Sequence, residues 1–295
     1  MVLSSIEQIL LITMIFFLMI GIGCSIEKDA LKNIHTQKLN IGIGLFLQYI
    51  SMPLITLILC NLTNLDSDTT SVLLLISCCP GGTTSNMFTY FSKANVELSI
   101  TLTSITTTLA FLMTPLLLGI YGGNADTKII VPLGQLIAIL LSILFPIFLG
   151  LFIKRRSASL ALKVESIGSK IGTLSIVIMI YIWRPKLYRI LRVQDTTLFL
   201  TIGLISTIGI LIGLLIATIL KCTIPSRIAL AFETGIQNAP LAFAIITLSF
   251  PQELTIKYGW IPLVYGALSV ATAISYCLIF RIYGVLSQTH KGIEA

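Results

Sequence analysis

Between Glu97 and Asp126 the chain runs without a single charged residue, and a second charge-free run extends from Lys128 to Lys154. Runs of this length have few destinations. Uncharged apolar segments of about 20 residues or more are the signature of membrane-spanning helices. They are also too long and too uniformly apolar to be the alternating strands, each of about ten residues, of a membrane barrel. The remaining composition agrees: 56% of residues are hydrophobic and 11% charged, with a mean hydropathy of +0.99, whereas soluble domains are roughly a quarter charged. The expectation is an all-α polytopic membrane protein.

Dividing the chain at charge clusters, Gly/Pro turns and polar patches gives nine candidate spans. They lie at about 6–26, 39–61, 69–92, 95–121, 129–153, 166–183, 196–220, 225–250 and 259–282, with ends good to roughly ±4 residues. No linker, low-complexity tract or soluble domain interrupts them, so residues 1–295 read as one membrane domain. The first run lacks a basic leading region and a small-x-small cleavage pattern, and is expected to be a retained helix.

An odd number of spans puts the termini on opposite sides. With the C-terminus cytoplasmic, thirteen of the nineteen Lys and Arg residues fall inside, among them Lys154, Arg155, Arg156, Lys221 and Arg227. The positive-inside rule favours that orientation, with the N-terminus external. One connection, "WRPKLYRILRVQD", carries Arg184, Lys186, Arg189 and Arg192 on the outside; its alternation of Trp183, Leu187, Tyr188, Ile190 and Leu191 with charge suits a headgroup boundary. The triplet Asn61-Leu62-Thr63 is a sequon on the same external side. The net charge of +7, which in a soluble protein would suggest nucleic acid, here reflects topology: the expected surroundings are a lipid bilayer, in a plasma membrane, with no nucleic-acid partner.

Six cysteines, Cys24, Cys60, Cys78, Cys79, Cys222 and Cys277, lie in or beside apolar runs without metal-ligand spacing, and the two histidines, His35 and His290, lie outside the spans. That disfavours a metal enzyme and leaves serine hydrolysis without a base. The Gly-Ile-Gly triplets at Gly21 and Gly42 lack the rest of a dinucleotide fingerprint and read as close-packing glycines. The reading is of a protein that is not an enzyme and needs no cofactor.

What chemistry there is lies inside the spans. "CCPGGTTSN", residues 78–86, puts turn residues in an apolar region. Glu233 in "ETGIQN" is the clear case of a carboxylate within a span, and Gly235, Gln237, Asn238 and Pro240 surround it; ionisable groups there are functional candidates by default. Broken backbone at membrane depth is tolerated where it is buried or lines a wet cavity, and paired breaks are the sequence pointer to a transporter site. The two breaks would free carbonyls for a cation and aim half-helix dipoles at the midplane. Ser99, Thr103 and Thr106 form a hydroxyl stripe on one helix face, and Gln48 is an amide alone in an apolar run. An oxygen-rich set with one carboxylate suits a hard monovalent cation, and sodium is preferred.

At these residues the chain resembles the bile acid:sodium symporter family in its nine-span animal branch, through "GCSIE", "QYISMPL", "CCPGGTTSN", "LSITLTSITTT" and "ETGIQN". The resemblance runs from the first span to the last. It implies two inverted five-helix repeats, the first helix of which this branch lacks, and two broken, crossing helices. It also implies a core domain (about 39–121 and 196–282) moving against a panel domain (about 6–26 and 129–183). Carried over by the same resemblance, one sodium site is Ser85, Asn86, Ser99, Thr103 and Glu233. The other is Gln48, Glu233 and Gln237 with the carbonyls of Thr234 and Ile236. Gly81, Gly82, Thr83, Asn238 and Pro240 are the candidates for the substrate cavity. Ala239-Pro240-Leu241-Ala242 stands where animal members often carry polar residues.

The expected function is a sodium-coupled symporter importing an amphipathic organic anion, such as a bile acid or steroid sulfate, by alternating access. The alternatives are a transporter of a small carboxylate such as pantothenate or pyruvate, and a receptor or scaffold with the same fold.

Overall fold

The computed structural model describes residues 37–122, 133–193 and 195–293, with scattered helical positions between 9 and 24. Helix α1 (Lys38–Phe46) passes through a π-helical turn, Leu47–Ser51, into α2 (Met52–Leu62). There follow α3 (Ser67–Cys78), α4 (Thr83–Phe91), α5 (Val96–Gly122), α6 (Leu133–Arg156), α7 (Ala158–Val193), α8 (Thr196–Ile219), α9 (Ile224–Gly235), α10 (Ala239–Ser249), α11 (Gln252–Tyr258) and α12 (Trp260–Ile293). Among the described residues the sole extended pairing is one isolated antiparallel bridge, Gly81 to Gln237.

The helices carry apolar side chains on their exposed faces as well as in the core, and bury hydroxyls among them. Leu200, Leu204, Leu211, Leu215 and Ile219 cover the exposed side of α8, while Thr201 and Ser206 are buried on the other. Such a surface would aggregate in water; against hydrocarbon it is the face that costs nothing to expose. Among the described residues three stretches, Lys38–Leu62, Thr196–Ile219 and Gln252–Ile282, are long and apolar enough to cross a membrane. Val96–Tyr121 makes a fourth when the two sides of its 68° bend count as one span. Pro115 explains that bend: it has no N–H to return to the carbonyl of Phe111, four residues back. The expected first span falls largely outside the described residues.

Two expected spans, 69–92 and 225–250, are each divided. The first stops at Cys78, and Cys79 turns extended (φ −71°, ψ 156°) as the residue before Pro80 is pushed to do. Gly82, also extended, precedes α4. The second stops at Gly235 and restarts where the Asn238 side chain accepts the Leu241 amide at 3.0 Å, with Pro240 in the first turn of α10, where its missing N–H is no loss. The breaks cross and pair: Gly82 N–H donates to Ile236 O, and Asn238 N–H to Pro80 O, both at 2.9 Å.

Small residues bring α8 directly against the second broken helix. Gly209 and Gly213 on α8, four residues apart, face Ala231 and Gly235 on α9, also four apart. A Cβ on Gly213 would lie 2.9 Å from the Ala231 Cα, and one on Gly209 would lie 3.0 Å from the Gly235 Cα. The two backbones therefore touch on both sides of Glu233, as small-xxx-small pairs allow in membranes. At the N-terminal end a Cβ on Gly150 of α6 would lie 2.8 Å from the Cys24 backbone nitrogen, and one on Gly168 of α7 would lie 2.8 Å from the Phe17 carbonyl oxygen. Gly42 corrects an expectation. A Cβ there would meet nothing within 4 Å, so it is not a close-packing glycine; it sits on an open apolar groove with Leu39, Phe46 and Leu220.

Helix α7 also departs from the expected 166–183. It runs on through the basic segment to Val193, because the alternation of charge with apolar residues there keeps a helical period. At 36 residues it is about 54 Å long, well beyond the hydrocarbon thickness of about 30 Å. Its exposed end is laced by cation–π stacking, Arg184 over Tyr181 at 5.1 Å and Arg192 over Tyr188 at 4.5 Å, which keeps each guanidinium beside an aromatic ring of the kind that suits the interface.

Candidate functional site

Every helix that stops inside the protein strands carbonyls at its C-terminus and amides at its N-terminus, and at this crossing four helix ends meet. The stranded groups are answered one by one. Cys79 O accepts from Gln48 Nε2 at 2.7 Å, Cys78 O from Thr114 Oγ1 at 2.8 Å, Gly235 O from the Tyr265 hydroxyl at 3.0 Å and Thr234 O from Gln237 Nε2 at 2.7 Å. The crossing is thus a polar knot inside an apolar fold, held by side chains from the π-helical turn, α5 and α12.

On one side of it lies Glu233, fully buried near the end of α9. Its hydrogen bonds come from hydroxyls. Ser85 Oγ donates to Oε2 at 2.6 Å, Thr103 Oγ1 to Oε1 at 2.7 Å, and Ser99 Oγ lies 3.3 Å from Oε2. Asn86 Oδ1 faces the same two stripe hydroxyls, 2.7 Å from Ser99 Oγ and 3.1 Å from Thr103 Oγ1. All five residues of the first expected sodium set, Ser85, Asn86, Ser99, Thr103 and Glu233, are therefore brought together, from α4, α5 and α9. Thr106, the third member of the stripe, bonds its own helix instead, at Thr103 O.

The proton balance of this cluster is informative. The hydroxyls of Ser85, Ser99 and Thr103 supply three protons. The acceptors in reach are both Glu233 oxygens, Asn86 Oδ1, Gly82 O and Ser99 O. These hydroxyls are neutral and cancel no charge, and an isolated buried carboxylate is costly. No Lys or Arg pairs with Glu233 among the described residues. A cation with oxygen ligands is what such an arrangement can hold.

The second set is partly assembled. Gln48 and Gln237 exchange amide bonds, Gln48 Nε2 to Gln237 Oε1 at 2.8 Å and Gln237 Nε2 to Gln48 Oε1 at 3.3 Å, and the Thr234 carbonyl joins them through Gln237. Ile236 O instead faces the first break, accepting from Gly82 N–H, and the Glu233 carboxylate bonds only the first set. Gln48 reaches the crossing because it lies in the π-helical turn. Pro53 lacks an N–H for the Tyr49 carbonyl, and the widened turn absorbs the mismatch; Tyr49 itself is pinned at the Thr106 carbonyl, 2.8 Å away.

Of the candidates for the substrate cavity, Gly81, Gly82 and Asn238 are buried within the crossing, while Thr83 is exposed and Pro240 half-buried on its two sides. Gly81 backs directly onto the Glu233 carboxylate. Sequence reasoning passed over Tyr265, Thr114 and the α8 glycines. The Gly-x-x-x-Gly spacing at 209–213 was a legible signal; a buried tyrosine or threonine in an apolar run offers none.

One substitution tests the first set locally. Thr103→Val keeps the shape and removes the hydroxyl bonded to Oε1. Hydrogen bonds to charged groups are worth about 1.5–3 kcal/mol, so half-saturating sodium is expected to rise about tenfold or more at normal membrane abundance. An unchanged sodium dependence counts against the cluster.

A family model described as the sodium bile acid symporter family matches residues 12–189. A protein of Bacillus subtilis named as an uncharacterized sodium-dependent transporter, YocS, is 33% identical over 79% of this chain and 72% of its own. The ileal sodium/bile acid cotransporter of Homo sapiens is 29% identical over 96% and 81%. A probable chloroplastic sodium/metabolite cotransporter of Arabidopsis thaliana is 30% identical over 80% and 59%. These relatives are named as transporters, not enzymes.

Proposed function

The chain belongs to the sodium bile acid symporter family, and from that premise we propose that it imports an amphipathic organic anion, of bile-acid or steroid-sulfate type, coupled to inward sodium flow. The observation that carries the reading is the crossing of two broken helices with one buried carboxylate, Glu233, ringed by Ser85, Ser99, Thr103 and Asn86. One sodium binds there. A second binds between Gln48, Gln237 and the carbonyls of Thr234 and Ile236, with Glu233 as the charge shared by both; for this the Gln48 and Gln237 amides turn their oxygens from each other to the ion.

Alternating access follows from the same parts. The core, about 39–121 and 196–282, moves against the panel, about 6–26 and 129–183, and exposes the crossing first to one side and then to the other. The anion binds beside the breaks at Gly81, Gly82, Thr83, Asn238 and Pro240, where α4 and α10 begin and their dipoles favour negative charge. Nine spans, an external N-terminus and a cytoplasmic C-terminus in the plasma membrane complete the reading.

A second substrate class, small carboxylates such as pantothenate or pyruvate, is favoured by the relative named as a sodium/metabolite cotransporter. The test is uptake of radiolabelled anions of both classes by cells expressing the full chain, in sodium and with choline in its place. Sodium-dependent uptake of a sulfated steroid or bile acid supports the leading reading, and of a small carboxylate the second. Uptake indifferent to sodium across the panel, at normal surface abundance, leaves the receptor or scaffold reading.

A further inference from the structure

Two residues outside both ion sets hold the ends of the broken helices. Tyr265, fully buried on α12, donates its hydroxyl to Gly235 O at 3.0 Å and accepts from Gln237 N–H at 3.4 Å. Thr114, fully buried on α5, donates to Cys78 O at 2.8 Å. Gly235 is the last residue of α9 and Cys78 the last of α3. In each half of the protein, then, a helix beyond the broken pair returns a hydroxyl to the final carbonyl of the upstream half-helix. That carbonyl has lost its helical partner because the helix stops.

The two hydroxyls differ in one respect. Thr114 makes a single bond to the break, whereas Tyr265 grips both ends of the Gly235–Gln237 turn. Between those two anchor points lies Ile236, whose carbonyl points to Gly82, and the far anchor is the amide of the residue whose side chain pairs with Gln48. The tyrosine ring has no freedom to follow a shift of that turn, being enclosed on α12. A shift of the turn that carries the Gln237 backbone away from Tyr265 breaks one of these two bonds, which is costly for polar groups buried this deeply.

We infer that Tyr265, with Thr114 as its counterpart at the first break, is a positioning residue for ion binding: it fixes the Gly235–Gln237 turn so that the Gln237 side-chain oxygen is held beside Gln48. The inference rests on the sodium-coupled reading above and names a residue that touches no ion. Tyr265→Phe keeps the ring and leaves the Gly235 carbonyl and the Gln237 amide without this partner.

The experiment measures binding of radioactive sodium to the purified full chain, which needs no identified substrate, for wild type, Tyr265→Phe, Gln237→Ala and the double variant, with thermal unfolding followed in parallel. Loss of the two hydrogen bonds predicts a rise of at least about threefold to tenfold in half-saturating sodium for Tyr265→Phe. Because Tyr265 acts through Gln237, the double variant is expected to match Gln237→Ala alone. A merely structural role would lower the unfolding temperature and leave half-saturation where it was; that result, or a double variant shifted by the product of the single effects, overturns the inference. Should Tyr265→Phe fail to accumulate, Thr114→Val carries the test by the same rise, and unchanged half-saturation there overturns it. Wild-type protein that binds no sodium overturns the sodium-coupled reading itself, and the inference with it.

Discussion

Glu233→Gln is expected to reach the membrane in normal amount and to lose sodium-driven uptake altogether. The substitution keeps the volume and part of the hydrogen-bonding capacity of the side chain: Ser85 and Thr103 bond different carboxylate oxygens, so one of them can still donate to the amide oxygen while the amide nitrogen donates to the other hydroxyl oxygen or to Asn86 Oδ1. What disappears is the one formal negative charge. A carboxylate about 4 Å from a cation contributes roughly 4 kcal/mol at an effective dielectric of about 20, which is about three orders of magnitude in affinity. Because both proposed ions share this charge, both are weakened together, and uptake driven by them falls to background. Gln48→Ala, by contrast, removes one amide from the second set alone and is expected to leave a reduced, still sodium-dependent flux. Linkage adds a check that needs no transport: where anion and sodium binding are coupled, each raises the affinity for the other by the same factor, and in Glu233→Gln that mutual factor is expected to fall to one. Wild-type sodium-dependent uptake by Glu233→Gln would remove the carboxylate from the coupling mechanism.

The residues of this site were legible in the sequence to an unequal degree, for physical reasons. Glu233 declared itself because a carboxylate in an apolar run has few reasons to be there. The breaks were legible because Pro80, Gly81 and Gly82, and later Asn238 and Pro240, cannot continue a helix without loss. The hydroxyl stripe was legible through helical periodicity, which places Ser99 and Thr103 on one face, and their meeting with Asn86 and Glu233 agrees with it. What one sequence could not yield is contact between distant segments. Nothing in the run around Tyr265 announces that its hydroxyl ends on the Gly235 carbonyl, and nothing around Thr114 points to Cys78. The length of α7 was misjudged because a basic segment was read as a connection, although charge interrupts a membrane span and not a helix. Gly42 was misjudged in the opposite sense: glycine marks either close approach or open space, and the sequence does not distinguish them.

That distinction gives the second large effect. Gly81→Ala is expected to abolish sodium-driven uptake while Gly42→Ala leaves it near wild type, though both add a single methyl group to a glycine within the membrane. A Cβ on Gly42 meets nothing within 4 Å, whereas one on Gly81 falls onto Glu233 Oε1, with Cδ 2.8 Å and Cγ 3.3 Å away. The backbone at Gly81 cannot retreat, because its neighbours Pro80 and Gly82 are both bonded to the opposite break. The carboxylate cannot retreat without leaving Thr103 and Ser85. Overpacking of an enclosed site costs about 1–3 kcal/mol, a tolerable loss of stability, so the variant is expected to insert and fold with its carboxylate displaced from the hydroxyls that orient it. Shortening that side chain offers a direct check. Glu233→Asp alone draws the carboxylate back by one methylene and is expected to weaken sodium binding, but in the Gly81→Ala background the same retraction relieves the clash. The double variant should therefore take up more substrate than Gly81→Ala alone, a reversal of sign that arises only when the two residues touch. Independent, multiplicative losses in the double variant would mean that Gly81 and Glu233 do not share the space at the crossing.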